Sequence, residues 1–490
     1  MKYSSYYITK VNYKYNFVKY NKSYKKVGLC MKQVDVLVIG GGVVGSAILH
    51  KLSSLNIKAA LIEKEPDLCE GTSKANSALL HTGFDEPVDS IEAECLIRSQ
   101  ALWLNIIENH NLSYEERGAV MVAFTEEERK VIEDKYMENA RLNGVMVRWL
   151  TREEILAKNP GVNKDCIGGL FIEKEGIIDP FEATYTFAEV AVLNGAEVML
   201  NSEAVQISPD NEGFVVTLGN DSKIQASYIV NAAGLHGDVI ARLIDDDSFT
   251  LKPRKGQFIV TKSHIDIENI ILPVPTPISK GKLVTPAVFG GHLLGPTAED
   301  MEDKEDKSTT EDGLEEILEG CEKMVPAART FTTVRQYAGL RSVYAGGDYI
   351  LRPSDYDKRM IHVAGIRSTG LSAAPGIAEK TAEMLEEIGA SFDEKNDWEP
   401  NLSKLTSGKE STDEMVCLCK SVTKNDIVQA LNRSIAPASL DGVKRRTEAM
   451  LGECQGSCCI PKIIDLMGEN QNIEGLPVKG GRNTDMAFKD

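Results

Sequence analysis

The sequence predicts an α/β and α+β protein in which a nucleotide-binding domain interleaves with a second, β-sheet domain and precedes a small helical module. Three observations support this prediction. An apolar strand at 34–39 runs directly into glycines with the spacing G-x-G-x-x-G. Apolar strands that end in glycine turns return at 228–234 and 361–365. Near the end of the chain, five cysteines fall within 43 residues.

The glycine pattern is that of a dinucleotide-binding turn formed by Gly40, Gly42 and Gly45. The first glycine allows a tight turn, the second lets the backbone approach a pyrophosphate, and the third lets a helix pack on the strand. The free N–H groups and the dipole of that helix would face the diphosphate. Glu63 ends a second apolar strand, 23 positions after Gly40, where a carboxylate can bind a ribose. The unit predicts a bound dinucleotide, either FAD or NAD.

The rest of the chain reads as mixed α/β structure and not as a regular series of βαβ units. Hydrophobic periodicity and turn residues predict helices at about 90–110, 125–143, 180–194 and 370–388. They predict strands at 119–124, 196–200, 204–207, 214–218, 223–226 and 361–365, and a strand-rich region at 250–345. The densely acidic stretch 299–316 is typical of a solvated loop that leads into a helix.

This order of elements predicts two interleaved domains whose site lies where they meet. Residues 31–390 form them, with nucleotide-binding parts at about 34–80, 160–240 and 345–390 and substrate parts at about 81–159 and 241–344. The polar segment 391–412 is predicted to be a linker, 413–467 a compact cysteine-bearing unit and 468–490 a loose tail. Residues 1–30 hold Lys and Tyr but no acidic residue, which predicts a disordered or mis-assigned extension before Met31.

Composition limits the possible partners. A formal net charge of −18 argues against a nucleic-acid partner, and it requires a local basic pocket if the substrate is an anion. The apolar runs fall short of the ~20 residues that a membrane span needs, and no secretion signal is evident. We expect a cytoplasmic protein, and peripheral association with the inner membrane face stays open.

The clustered cysteines are Cys417, Cys419, Cys454, Cys458 and Cys459. Clustered thiols in a chain without a secretion signal favour metal binding over disulfides, and four thiolates suit zinc or an iron–sulfur cluster. Thr423 and Ser439 are predicted to cap helices at about 424–431 and 440–451 that bring the cysteine pairs together. The spacing leaves open whether Cys458 or Cys459 is the fourth ligand. The isolated Cys30, Cys69, Cys95, Cys166 and Cys321 are expected to be reduced thiols.

Further motifs carry a family resemblance: Asn-Ser-Ala-Leu-Leu-His-Thr-Gly at 76–83, Arg-Lys-Gly-Gln at 254–257, Gly-Pro-Thr-Ala at 295–298, Tyr-Ala-Gly-Leu-Arg at 337–341 and the glycine-rich stretch 365–375. With the dinucleotide unit, they resemble the FAD-dependent D-amino-acid-oxidase and glycerol-3-phosphate-dehydrogenase superfamily, most of all its soluble bacterial glycerol-3-phosphate oxidases and dehydrogenases. The cysteine module resembles the [2Fe–2S] domain of bacterioferritin-associated ferredoxins. The resemblance implies a Rossmann-like FAD-binding domain, a β-sheet substrate domain and a helical C-terminal [2Fe–2S] module.

The resemblance also implies roles for individual residues. His81 matches the family's site histidine, and a neutral imidazole suits the base that takes a hydroxyl proton near pH 7. Ser77 would orient substrate or flavin, and Ser368 would lie near the flavin edge. Arg341 and Lys280 would bind the substrate anion, with Lys282 a near-equal alternative to Lys280. His236, His292 and His362 are expected to be structural.

The positions expected to hold the cofactors follow from the same motifs. The resemblance implies FAD contacts at Gly40, Gly42, Val43, Val44, Gly45, Glu63, Lys64, Thr72, Ser73, Ser77, Val205, Ala233, Gly234, Gly365, Gly370 and Leu371. Relatives use the spacing Cys-x4-Cys, which selects Cys417, Cys419, Cys454 and Cys459 as the ligands of a [2Fe–2S] cluster.

These expectations lead to one reaction and two alternatives. The sequence favours FAD-dependent oxidation of sn-glycerol 3-phosphate to dihydroxyacetone phosphate, with electrons leaving through the cluster to a protein partner or a quinone-linked carrier. The first alternative keeps the chemistry and changes the substrate to L-2-hydroxyglutarate or another 2-hydroxy acid. The second is an electron-transfer subunit that binds FAD and the cluster but has no substrate of its own.

Overall fold

The computed structural model describes residues 31–262, 266–275, 281–402 and 414–470. The sequence-based expectations for residues 1–30, for 471–490, for the linker residues 403–412 and for Lys280 lie outside these ranges. No helix in the described part of the chain is both long and apolar enough to cross a membrane.

An eight-stranded sheet forms the nucleotide-binding part. Its central strand, Lys32–Ile39, lies between Lys223–Asn231 and Ala59–Ile62 and is parallel to both. Because parallel strands end at the same edge, the glycine turn after Ile39 meets the ends of both neighbours. The other strands are Glu197–Met199, Ala204–Asp210, Gly213–Leu218, Ile350–Pro353 and Met360–Ala364.

Four long helices pack beside this sheet: Val43–Ser53, Ile91–His110, Pro180–Leu193 and Gly370–Glu387. The last three helices begin and end within one residue of the bounds predicted from the sequence. The agreement is close because helix caps and hydrophobic periodicity can be recognised from neighbouring residues alone. Ser90 accepts a hydrogen bond from Ala93 N, and Asp179 accepts from Phe181 N and Glu182 N. The strand and helix side chains that face each other form the largest apolar core among the described residues.

A nine-stranded sheet forms the second domain. Its longest pair, Leu251–Thr261 and Thr333–Tyr344, is antiparallel and places Arg254 directly opposite Arg341. The remaining strands are Ala119–Ala123, Val147–Thr151, Gly168–Ile172, Ile270–Pro273, Leu283–Pro286, His292–Gly295 and Glu299–Asp300. Since Gly168–Ile172 lies here, the segment 160–240 contributes strands to both sheets.

Shorter helices complete the two domains. Glu126–Val131 continues through a π-helical turn, Ile132–Tyr136, into Met137–Leu142, as the predicted helix at 125–143 requires. Arg152–Lys158, Gly237–Arg242 and Glu311–Met324 follow. The last begins within the acidic stretch 299–316, so its final part is helical and not loop. Short 3-10 turns lie at Thr72–Lys74, Gly234–His236 and Pro326–Thr330.

A small three-stranded sheet lies between the two larger ones. Leu79–Leu80 and Tyr114–Glu116 each pair antiparallel with Gly176–Ile178. Leu80 lies opposite Gly176, so the next residue along one strand, His81, comes to lie beside the residue that precedes the other, Glu175.

The C-terminal module has strands Met415–Cys417 and Val422–Thr423 and helices Lys424–Leu431, Leu440–Thr447 and Ile460–Asn470. Thr423 and Ser439 cap the first two helices, as predicted. The second helix ends at Thr447 because Glu448, its C-cap, adopts a left-handed conformation with φ 62°, so the predicted end at 451 is four residues too late. The third helix was not predicted from the sequence.

Candidate active site and cysteine centre

The glycine turn leaves no space for side chains where the nucleotide strands end. Gly40 has φ +116°, and a Cβ there would lie 2.4 Å from the carbonyl oxygen of Ala232. A Cβ on Gly45 would lie 2.0 Å from the carbonyl oxygen of Gly40. A Cβ on Gly42 would approach only the hydroxyl of Ser73, at 3.1 Å, so this position opens toward a ligand. The three glycines therefore form the cradle that a pyrophosphate requires.

Glu63 and Ser73 line this cradle. The Glu63 carboxylate accepts hydrogen bonds from Gly41 N at 2.6 Å and from Glu65 N at 2.9 Å, and burial raises the pKa of its carboxyl group. Ser73 Oγ accepts from Val43 N, at the start of the helix, at 2.9 Å. Lys64 lies beside Glu65, with 3.7 Å between Nζ and Oε1. These contacts fit a diphosphate and ribose at the helix N-terminus.

Two later segments reach the same edge of the sheet. A Cβ on Gly40 would lie 3.0 Å from Ala233 Cα, and Gly234 turns away with φ +56°. Gly365 has φ +66° and ends the strand before the helix that begins at Gly370. A Cβ on Gly370 would lie 3.8 Å from Val44 Cγ2, so this helix begins beside the first one.

The other residues predicted to contact FAD lie in different environments. Leu371 is buried in the first turn of the helix Gly370–Glu387. Thr72 Oγ1 donates to Leu340 O at 2.6 Å, which fixes the loop after Glu70 to the second sheet. Val205 is 46% exposed at a bulge in its strand, beside Glu203 and Gly219.

Glu175 is a candidate site residue that the sequence reasoning missed. Its side chain is fully buried, and Oε1 accepts hydrogen bonds from Thr82 N and Thr82 Oγ1, both at 2.8 Å. The other oxygen, Oε2, lies 3.1 Å from Nδ1 of His81, although the two atoms are not in ideal hydrogen-bond alignment. Catalytic contacts in ligand-free sites are often poorly aligned and tighten when the substrate binds.

The loop that carries Ser77 and leads to His81 packs against the strand that carries Arg341. Tyr337 Oη donates to Asn76 O at 2.7 Å, and a Cβ on Gly339 would lie 2.0 Å from Ala75 O. Ser77 is half-buried in this loop. The structure thus brings the predicted base and the predicted anion-binding arginine onto two segments in direct contact.

Arg341 is a half-buried cation whose hydrogen bonds within the described residues all go to carbonyl oxygens, those of Arg254, Lys255 and Thr297. Asp300, the nearby acid, is bound instead by Arg254, at 2.9 Å between Nη2 and Oδ2. Burial, and then the charge of Arg254, lowers the pKa of Arg341 to about 10. Within the described residues no carboxylate forms an ion pair with Arg341, so the site favours a bound anion.

The other predicted polar residues have different environments. Ser368 is exposed just before the helix Gly370–Glu387. Lys282, the alternative to Lys280, pairs with Glu316 on a neighbouring helix. His362 is held between Asp246 and Asn231, as expected of a structural histidine.

A buried polar cluster lies beside Ser368. Glu92 is 1% exposed and accepts hydrogen bonds from Arg367 and from Thr369, and Thr369 contacts the Tyr349 hydroxyl at 2.5 Å. Arg367 is thereby paired with a carboxylate. The cluster fixes the turn that precedes the helix Gly370–Glu387.

The cysteines of the module converge at one end. Cys417 and Cys459 are buried, whereas Cys419 and Cys458 are exposed. Burial, and then the neighbouring Cys417, raises the pKa of the Cys459 thiol to about 11. Backbone hydrogen bonds from Cys458 and Gly456 and the thiol of Cys419 lower the pKa of Cys454. No group of three ligands within the described residues is arranged around a single metal ion. Pairs of thiols suit a two-iron cluster, which needs two ligands per iron.

The module is held against the nucleotide-binding domain by buried charges. Arg446 binds Asp67 through both guanidinium nitrogens, at 2.7 and 2.8 Å, and lies 3.7 Å from the centre of the Tyr185 ring. Arg445 reaches the same carboxylate at 3.0 Å and also binds Glu70. Burial opposes the charge on Asp67, but the two arginines hold the pKa of its carboxyl group below the usual value.

Fold and site together define a dinucleotide-dependent oxidoreductase with an attached cysteine module. Comparison with known families matches residues 35–384 to the FAD dependent oxidoreductase family and residues 415–469 to the BFD-like [2Fe-2S] binding domain. The chain belongs to the FAD dependent oxidoreductase family, and its cofactors are FAD and a [2Fe–2S] cluster. The predicted fold class and the choice of FAD over NAD are confirmed.

Individual relatives are similar over most of the chain. A glycerol 3-phosphate dehydrogenase of Caloramator mitchellensis is 32% identical over 457 residues, which are 90% of this chain and 95% of that protein. A glycerol 3-phosphate oxidase of Mycoplasma pneumoniae is 32% identical over 72% of this chain and 95% of its own length. The dithionite-reduced structure of L-alpha-glycerophosphate oxidase from M. pneumoniae, with FAD bound, has a TM-score of 0.72 and 31% identity, and the match covers 76% of this chain and 98% of that one.

Proposed function

We propose that the protein oxidises sn-glycerol 3-phosphate to dihydroxyacetone phosphate. The observation that carries this proposal is Arg341, a half-buried cation without a carboxylate partner among the described residues, on a strand packed against the loop that leads to His81. A phosphate would supply the missing anion through charge-assisted hydrogen bonds. The names of the relatives, glycerol 3-phosphate dehydrogenase and oxidase, favour this substrate.

Each of these residues would have a separate role in the oxidation of the alcohol. Arg341, and Lys280 as predicted from sequence, hold the substrate anion, while Ser77 orients the substrate or the flavin. His81 takes the proton of the secondary hydroxyl, with Ser368 near the flavin edge. FAD, when bound, accepts the hydride from the alcohol carbon. The positions around Gly40, Glu63 and Gly370 would hold it.

We further propose that electrons leave through the [2Fe–2S] cluster to a protein partner or a quinone-linked carrier. An enzyme that uses oxygen alone has no need of a cluster, so the module favours a dehydrogenase. The module binds the segment that contains Asp67 and Glu70, which leads directly into Thr72 and Ser73, the residues predicted to contact FAD. Cys417, Cys419, Cys454 and Cys459 would be the ligands.

The two alternatives make different predictions in one experiment. Arg341 would also bind a carboxylate, so L-2-hydroxyglutarate or another 2-hydroxy acid is the nearest rival substrate. An electron-transfer subunit without a substrate would have no use for a half-buried, carboxylate-free cation on a strand that packs against the His81 loop.

The test is anaerobic titration of the oxidised protein with sn-glycerol 3-phosphate, L-2-hydroxyglutarate and glycerol, followed by flavin absorbance. Glycerol 3-phosphate should bleach the flavin, and glycerol, which lacks the anion, should not. Arg341→Met should weaken the response, whereas Lys252→Met, which removes an exposed lysine paired with Glu302, should not. Bleaching by the hydroxy acid alone would select the first alternative, and bleaching by none of a wider panel would select the second.

A further inference from the structure

We propose that Glu175 is a positioning residue that holds the His81 imidazole with its proton on Nδ1, which leaves Nε2 as the basic nitrogen for the substrate hydroxyl. This inference rests on the proposed function and names a residue that makes its base effective. In the reaction, the hydroxyl O–H bond would break, its proton would move to Nε2 and its electron pair would form the C=O bond, while the hydride would leave carbon with the C–H electron pair and FAD would be the two-electron acceptor.

Backbone pairing fixes the two residues relative to each other. Leu79 lies opposite Ile177 and Leu80 opposite Gly176, so His81 and Glu175 continue the same antiparallel register. The carbonyl oxygen of Glu175 accepts from Arg117 N at 3.0 Å and from Gly118 N at 2.8 Å. The glutamate backbone is therefore anchored to a third segment, independently of its side chain.

The carboxylate is oriented by its other contacts. Thr82 occupies Oε1 with two hydrogen bonds, from its N–H and its hydroxyl, both at 2.8 Å. That leaves Oε2 directed at Nδ1 of His81, 3.1 Å away. A carboxylate oxygen only accepts hydrogen bonds when it is ionised, so it favours the tautomer whose Nδ1 carries the proton.

The backbone of His81 is tied to the helix that begins next to the FAD cradle. His81 N donates to Ser372 Oγ at 2.8 Å, and Ser372 Oγ donates to Leu79 O at 3.1 Å. Trp103 Nε1 donates to the carbonyl oxygen of Ser372 at 2.8 Å, so this serine cannot shift without breaking a third contact. His81 is thus fixed at its backbone by one element, while its ring lies within 3.1 Å of Glu175.

The positioning role has a chemical consequence beyond geometry. When His81 takes a proton it becomes an imidazolium, and the adjacent fully buried carboxylate stabilises that charge. In serine proteases the amide replacement of the corresponding carboxylate leaves the site intact but costs ~10⁴ in turnover, because the histidine adopts the wrong tautomer. Glu175→Gln tests the same logic, since Gln can still accept hydrogen bonds from Thr82 but offers an N–H to Nδ1.

The first measurement needs no turnover. ¹⁵N-histidine NMR of the oxidised, FAD-bound full-length protein reports which ring nitrogen carries the proton, with the His81 signal assigned by its loss in His81→Gln. The wild type should show Nδ1–H and Glu175→Gln should shift the proton to Nε2, while Glu173→Gln, on the same turn but only half-buried, should match the wild type. A wild-type His81 with its proton on Nε2 would overturn the proposal even if every Glu175 variant failed to fold.

The second measurement is rapid mixing with sn-glycerol 3-phosphate. Glu175→Gln should lower the limiting rate of flavin reduction roughly 10²–10⁴-fold with little change in substrate Kd, and it should move the pH at which the rate rises to lower values. Glu175→Asp, which keeps the charge, should retain more of the rate. An unchanged limiting rate in Glu175→Gln contradicts the proposal. Failure of glycerol 3-phosphate to reduce the wild-type flavin would refute the proposed function instead, and the NMR result would still decide the tautomer.

Discussion

Replacement of Arg446 by Met tests whether the cluster module is locked to the FAD-binding domain. Arg446 is fully buried; it binds Asp67 with two nitrogens, donates to Ile435 O at 2.9 Å and covers the Tyr185 ring. Methionine fills much of the same space but leaves the buried Asp67 carboxylate without its bidentate partner. The substitution therefore isolates the ion pair at the domain contact.

Loss of one partner of a buried ion pair costs about 3–5 kcal/mol. Asp67 keeps Arg445 at 3.0 Å and the N–H of Leu68 at 2.8 Å, so we expect the lower end, about 3 kcal/mol. That corresponds to about a 150-fold increase in the undocked population. FAD should also bind more weakly, because Cys69 N donates to Gly41 O at 3.0 Å and joins this segment to the glycine turn.

Hydrogen exchange of the peptide that contains residues 67–74 measures the opening free energy, and flavin fluorescence measures the FAD Kd. Lys462→Met is the matched control, since its ion pair with Glu414 is about half-exposed and should contribute less than about 1 kcal/mol. Asp67→Asn combined with Arg446→Met should recover part of the loss, because no buried charge then lacks a partner. If Arg446→Met changed the opening free energy of this peptide by less than about 0.5 kcal/mol, the Arg446–Asp67 contact would not be what holds the module on the FAD-binding domain.

Three further predictions follow from the sites. His81→Ala should slow flavin reduction roughly 10²–10⁴-fold with little change in substrate affinity, whereas Arg341→Ala should raise KM about 10- to 150-fold, as rapid-mixing kinetics can separate. Cys454→Ser should abolish the cluster yet leave FAD bound, which iron analysis and flavin absorbance check together; one zinc and no iron in the wild type would contradict the cluster. Burial lowers the pKa of His50 in the folded state to about 3. The unfolded chain therefore binds a proton at His50 that the folded protein does not, and the free energy of unfolding falls as pH drops below 6.5, the pKa in the unfolded chain. Between pH 7 and pH 5 urea unfolding should show about 2 kcal/mol more loss in the wild type than in His50→Gln, and equal losses would count against this cause.

Local signals explain why much of the architecture could be predicted from the sequence. The N-cap Ser90 and the pair Asp179–Pro180 predicted the first residues of two helices. The glycine spacing predicted the position of the dinucleotide-binding turn. The third helix of the module, Ile460–Asn470, was missed because it begins directly after Cys459 and has Pro461 in its first turn. Proline is tolerated in a first turn but breaks a helix farther along, so the pattern alone did not identify a helix there.

Two features of the site depend on contacts between distant parts of the chain, which no local pattern reveals. Glu175 follows a charged, exposed Lys174 and would be taken for a surface acid; only the register of two short strands brings it to His81. Arg445 and Arg446 end a helix of mixed charge, where exposed side chains are the usual expectation. Arg445 and Arg446 are buried against Asp67 of the nucleotide-binding domain. Glu175 is buried beside His81. The residues that join the sites therefore depend on partners that lie far away in sequence, and substitutions there should separate proton transfer, FAD binding and docking of the cluster module.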